Sequence, residues 1–123
     1  MNIQIWTRIY PSEDEKKVIE ALENLFPAFV FERTGDRFEA AGSTFSELRE
    51  LKERIDDSAI RDTARRVMGK GTHEKAVTFH LNKQAAYAGK VNFSKDSPLG
   101  PITVRIVGNP EMTLDYLAPS TLV

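Results

Sequence analysis

Three stretches of this chain repeat with period two, and each turns its large aliphatic side chains to one side. In Asn2 to Tyr10, Ile3, Ile5 and Ile9 face one way and Gln4, Trp6, Arg8 and Tyr10 the other. Val77, Phe79 and Leu81 form one side of a second run, opposite Ala76, Thr78 and His80; Ile102, Val104 and Ile106 mark a third. Successive side chains of a strand point to opposite faces, so each run reads as a strand with one face in a core. A chain with three such strands must build a sheet and cover one of its faces.

The covering elements are legible between them. Ser12 with Glu15 has capping-box spacing, and Val18, Ile19, Leu22, Leu25 and Phe26 follow at helical intervals until Pro27. This predicts a helix over 13–26. Ala28 to Arg33 and Arg37 to Gly42 read as a hairpin around Thr34-Gly35-Asp36, carrying Phe29, Phe31 and Phe38. Thr44 and Glu47 repeat the capping spacing and open a second helix over 45–56, with Phe45, Leu48, Leu51 and Ile55 inward and Glu50–Arg54 paired on the wet side. After the break at Asp57-Ser58, a third helix turns Ile60, Ala64 and Val67 inward and Arg61, Arg65 and Arg66 outward, and Gly69-Lys70-Gly71 closes it as a mobile basic loop. Asn82 caps a short helix through Ala88 that Gly89 stops. Ser97-Pro98-Leu99-Gly100 makes a turn, and Met112, Leu114 and Leu117 suggest a terminal helical turn. With 123 residues and no repeat or linker, the expectation is one α+β domain.

Composition removes several classes of function. The mixture, 41% hydrophobic and 28% charged, is that of a folded globular chain. No cysteine is present, which excludes disulfides, thiolate zinc sites and cysteine nucleophiles. No apolar run approaches the ~18 residues of a membrane span, and the early alternation is not that of a signal peptide; a cytoplasmic setting is expected. The C-terminal Ser120-Thr121-Leu122-Val123 looks like a peptide-groove ligand, a match short enough to carry no weight. His73 and His80 are the only histidines and have no partner at ligand spacing, so no metal is expected. Gly69-Lys70-Gly71-Thr72 echoes a phosphate loop, but Ala64 stands where the earlier glycine belongs and the order is helix–loop–strand. No nucleophile elbow occurs either. The reading is a non-enzyme with no cofactor and no small-molecule substrate.

The net charge of −1 is unevenly spread. Residues 1–60 hold 8 Lys/Arg against 13 Asp/Glu, residues 61–95 hold 8 against 2, and residues 96–123 hold 1 against 3. A basic middle block in a mildly acidic chain points to a polyanionic partner. Arg61, Arg65, Arg66, Lys70, Lys83 and Lys90 are its candidate nucleic-acid contacts. The competing reading is a solvated helix face, with Asp57–Arg61 and Asp62–Arg66 as i,i+4 pairs and Arg65 and Lys70 lacking a local partner.

Ile-Tyr-Pro-Ser-Glu-Asp (9–14), Asn-Leu-Phe-Pro (24–27), the run from His80 to Ile106 and Asp-Tyr-Leu-Ala-Pro (115–119) together resemble an archaeal family of conserved hypothetical proteins. That family is grouped with predicted RNA-binding proteins and with a fold like that of ribosomal protein L five. Tyr116 stands where a tryptophan is expected and Ser12 where a threonine is. The resemblance implies a mainly antiparallel sheet with helices packed on one face; it implies no reaction and no assigned site.

Two functional classes follow. One is a module for structured RNA acting through the basic block. The other is an assembly module, a homodimer in which Trp6, Arg8, Tyr10 and Arg105, on the second face of the sheet, meet another subunit. The same aromatic–arginine strip also has the composition of a base-stacking platform, unless a helix of the same chain covers it.

Overall fold

A computed structural model describes residues 1–96 and 98–120. The turn expected at Ser97 and the C-terminal match beyond Ser120 thus fall partly outside the described residues. The three period-two runs are strands: β1 (Asn2–Arg8), β5 (Ala76–Asn82) and β6 (Pro101–Val107). They pair antiparallel at the centre of a six-stranded sheet of order β2-β3-β1-β6-β5-β4. A hairpin of β2 (Glu32–Thr34) and β3 (Arg37–Gly42) closes one side, and the two-residue β4 (Thr72–His73) closes the other.

Five helices line the apolar side: α1 (Glu15–Leu25), α2 (Arg49–Asp57), α3 (Arg61–Lys70), α4 (Lys83–Tyr87) and α5 (Pro110–Leu117). The core lies between them and the sheet. Ile3, Ile5, Phe79, Leu81, Val104 and Ile106 meet Leu22, Leu25, Leu48, Leu51, Ile55 and Met68 there, all essentially without solvent contact. Thr7 shares this side, and its hydroxyl is satisfied by donating to Pro101 O at 3.0 Å. The α+β class, the antiparallel sheet and the one-sided helical layer are as the sequence implied.

Local details depart from the sequence reading for physical reasons. The cap of α1 is Asp14, whose carboxylate accepts Lys16 N–H; Ser12 lies in the preceding turn, which Glu13 closes by accepting Tyr10 N–H at 3.0 Å. Glu47 does cap its helix, taking the N–H groups of Ser43 and Thr44, but the first turn, Phe45–Leu48, is 3₁₀ and tightens into α2. Phe45 is only half-buried and stacks on Tyr116, with ring centroids 5.0 Å apart. On α3 the inward residues are Ala64 and Met68, and Val67 is half-buried; on α5 Thr113 and Leu117 are inward and Met112 is exposed. Gly69-Lys70-Gly71 is no loose loop, since α3 runs through Lys70. Gly71 takes part in the sheet edge, its carbonyl accepting Thr78 N–H at 3.0 Å, and a Cβ there would lie 1.9 Å from Thr78 O.

Candidate nucleic-acid interface

Of the six candidates in the basic block, two are held in ion pairs and a third is buried. Arg61 pairs with Asp56 at 3.2 Å, not with Asp57. Arg65 has the partner its own helix could not supply: its guanidinium holds Asp115 at 2.9 Å and Ala118 O at 3.1 Å, tying α3 to α5. Arg66, Lys70 and Lys90 are exposed. The first two belong to α3, which packs on α2, α5 and β5, whereas Lys90 follows α4, which packs on α1 and β5.

Lys83 departs furthest from the sequence reading. It is 4% exposed, and its ammonium donates to Arg8 O at 2.7 Å, Leu99 O at 2.7 Å and the Glu13 carboxylate at 3.0 Å. All three of its N–H groups are thus consumed inside the protein. Burial pushes its pKa below the usual lysine value, and the hydrogen bond and charge of Glu13 oppose that shift. No local pattern signals this, because Glu13 and Lys83 lie 70 residues apart. Lys83 is a structural clamp, and its buried ammonium is not a phosphate contact.

The second face of the sheet is different. The buried residues of the helices form one core cluster with Ile3 and Ile5, and the opposite side of the sheet carries Trp6, Arg8 and Arg105 together with Thr103, which is itself buried. Register places Glu39, Trp6, Thr103 and His80 in one row across β3, β1, β6 and β5. Ala41, Gln4, Arg105 and Thr78 form the next row, and Arg37 stands beside Arg8. Trp6 and Tyr10 are half-buried, and Arg8, Arg37 and Arg105 are exposed.

Two arginine–aromatic pairs organise this face. The Arg37 guanidinium lies 5.6 Å from the Trp6 ring centroid and pairs with Glu39; that of Arg8 lies 4.8 Å from Tyr10 and pairs with Asp36 at 3.1 Å. Both pairs line an open groove of about 480 Å³, with Asp36, Pro101 and Thr103. Across β6, His80 Nδ1 lies 3.0 Å from the Thr103 hydroxyl, and burial, helped by the charge of Lys95, holds its pKa below the usual histidine value. Sequence reasoning found Trp6, Arg8, Tyr10 and Arg105 by alternation. It missed Arg37, whose place beside Trp6 follows from the β1–β3 register, which no local pattern encodes. Among the described residues no three His, Asp or Glu side chains gather as a metal site, and no helix is long and apolar enough to cross a membrane.

A family model described as RNA binding matches residues 2–107, which span β1 through β6. A UPF0201 protein of Thermococcus onnurineus is 41% identical, the match covering 97% of this chain and 92% of the relative. The chain belongs to the UPF0201 family. Its fold is that of two crystallised UPF0201 proteins. One, described as uncharacterized, superposes with a TM-score of 0.88 at 34% identity over 98% of this chain and 95% of that one. The other, from Methanococcus jannaschii, gives 0.86 at 33% identity over the same shares.

Proposed function

We propose that this UPF0201 chain binds RNA, without catalysing a reaction, on the uncovered face of its sheet. The observation that carries the reading is the one-sided helical layer: it leaves an aromatic–arginine strip of Trp6, Arg8, Tyr10, Arg37 and Arg105 facing outward. A flat sheet face with aromatic rings and guanidinium planes offers surfaces on which bases stack. The RNA-binding description of the matching family model supports the same partner.

The basic surface of α3 is the competing location, and charge reversal separates the two. Arg105→Glu removes an exposed cation from the sheet face; Arg66→Glu with Lys70→Glu removes two from α3. Fluorescence anisotropy with labelled single-stranded and duplex RNA should show a loss of affinity for Arg105→Glu and none for the α3 double variant. The opposite outcome would return the site to α3.

A further inference from the structure

We infer that the groove between Trp6 and Tyr10 takes unpaired bases of RNA, held by stacking more than by phosphate contacts. This rests on the reading of the open face as the RNA site and names the class of RNA it accepts.

The charge inventory of the face is the first argument. Arg8 and Arg37 are already neutralised by Asp36 and Glu39, and Glu32 adds a further carboxylate beside Glu39 in the β2–β3 register. Arg105 and Lys95 are cations near this face with no ion pair among the described residues. A duplex is held chiefly through many phosphate and sugar contacts across its grooves, and affinity built that way falls steeply with salt. Two unpaired cations cannot supply such binding.

Geometry is the second argument. The groove is lined by Trp6 with Arg37 and by Tyr10 with Arg8, together with Asp36; Thr103, the β6 partner of Trp6, and Pro101 border it along the neighbouring strand. Both walls offer flat π or guanidinium planes, which are the surfaces that unpaired bases prefer. Each guanidinium lies over its ring and also pairs with a carboxylate, Asp36 or Glu39, so this arrangement of the walls is present without a ligand. A base inside a duplex is stacked on its own neighbours and presents no free face to such a slot.

Trp6 is the only tryptophan of the chain, so intrinsic fluorescence reports on this groove directly. The probes are a short oligoadenylate, an abasic ribo-oligomer of the same length, and a blunt RNA duplex. The oligoadenylate should quench Trp6, with a logarithmic salt slope of about −1 to −1.5 for two neutralised phosphates. The abasic oligomer, which keeps the phosphates, should bind at least ~10-fold more weakly. Tyr10→Leu should weaken oligoadenylate binding by roughly 5- to 150-fold and Tyr10→Phe should restore it, both with the Trp6 signal intact. Equal binding of abasic and normal oligomers, or preference for the duplex with a steep slope, overturns the stacking inference while RNA binding stands. Failure of all three probes at low salt overturns RNA binding itself. Light scattering that finds a dimer with Trp6 shielded assigns the face to a second copy of the chain and overturns both.

Discussion

Replacing Lys83 removes a cation from the inside of the protein, and the structure fixes what is left behind. Lys83 and Glu13 are 4% and 6% exposed at their side chains. The ammonium joins three separate pieces of chain: the end of β1 through Arg8 O, the approach to α1 through Glu13, and the turn before β6 through Leu99 O. In Lys83→Ala, the Glu13 carboxylate keeps the Tyr10 N–H but loses its counter-ion, and two carbonyls lose a charged donor. Breaking a buried pair from one side costs about 3–5 kcal/mol. With an unfolding entropy of about 2.1 cal/mol/K per residue, that lowers the melting temperature of a domain this size by about 12–19 °C. Lys83→Met keeps most of the volume and should cost nearly as much, because the loss is one of charge and hydrogen bonds rather than packing. Some buried ion pairs can be exchanged for apolar residues without penalty. Here that exchange should fail, since each stranded carbonyl adds about 1–3 kcal/mol that no hydrocarbon restores. Urea denaturation followed by circular dichroism, with the slope checked for constancy, measures the effect. A Lys83→Met protein within 1 kcal/mol of the parent would refute the argument, since it would mean that the clamp contributes nothing over a methionine of its shape.

Ala59 occupies the left-handed position that ends α2, at φ 55°, with Ala59 N–H bonded to Asp56 O and Ile60 N–H to Ile55 O, a site where glycine is favoured. Ala59→Gly should therefore stabilise the protein by about 0.5–1 kcal/mol, the relieved strain exceeding the added freedom of the unfolded chain; a lower urea midpoint would contradict this. Acid should weaken the fold in two stages. His80 has its pKa lowered by burial and then by Lys95, so the unfolded chain takes up that proton first and stability falls as pH drops from about 6.5 through the folded value. Glu47 has its pKa lowered by the Ser43 and Thr44 N–H groups, so its contribution is present above about 4.5 and is lost as pH falls through the folded value. Urea midpoints across pH should lose the upper stage in His80→Gln and the lower in Glu47→Gln; profiles unchanged by either substitution would count against the assignment.

The fold was legible where period and local chemistry coincide. Alternation in Asn2 to Tyr10 identified both faces of β1, and the caps at Asn82 and Glu47 were visible because their partners lie within a few residues. What could not be read were encounters set by the tertiary fold. Arg65 has no partner within its own helix, and Asp115, which pairs with it, lies 50 residues on. Lys83 looked like a surface cation because lysine is seldom buried unless paired, and its partner belongs to another segment. The same limit hid Arg37, whose position beside Trp6 exists only once β3 pairs with β1. The charge tally over residues 61–95 is correct as a sum, but one of its cations, Lys83, is internal, and Arg61 and Arg65 are held in ion pairs.

The two edges of the sheet and its open face call for different kinds of partner. Long exposed edges recruit strands from other chains. Here β2 is three residues long and begins with the charged pair Glu32-Arg33, and β4 is two residues long. Beyond β4, the outer side of β5 is occupied by the Gly71 carbonyl at Thr78, by the bridge from Leu81 to Phe93, and by the Asn82 N–H bond to Asn92 O. Little of that edge remains to template another strand. The face between the edges has the opposite character. Its aromatic rings are only half-buried, and its ion pairs turn Arg8 and Arg37 into flat, neutralised walls instead of a field of free charge. Such a surface suits a partner that is flat and unsaturated, the property of an exposed base more than of a phosphate backbone. On the reading proposed above, the partner approaches the sheet from this face, and Trp6 and Tyr10 select it.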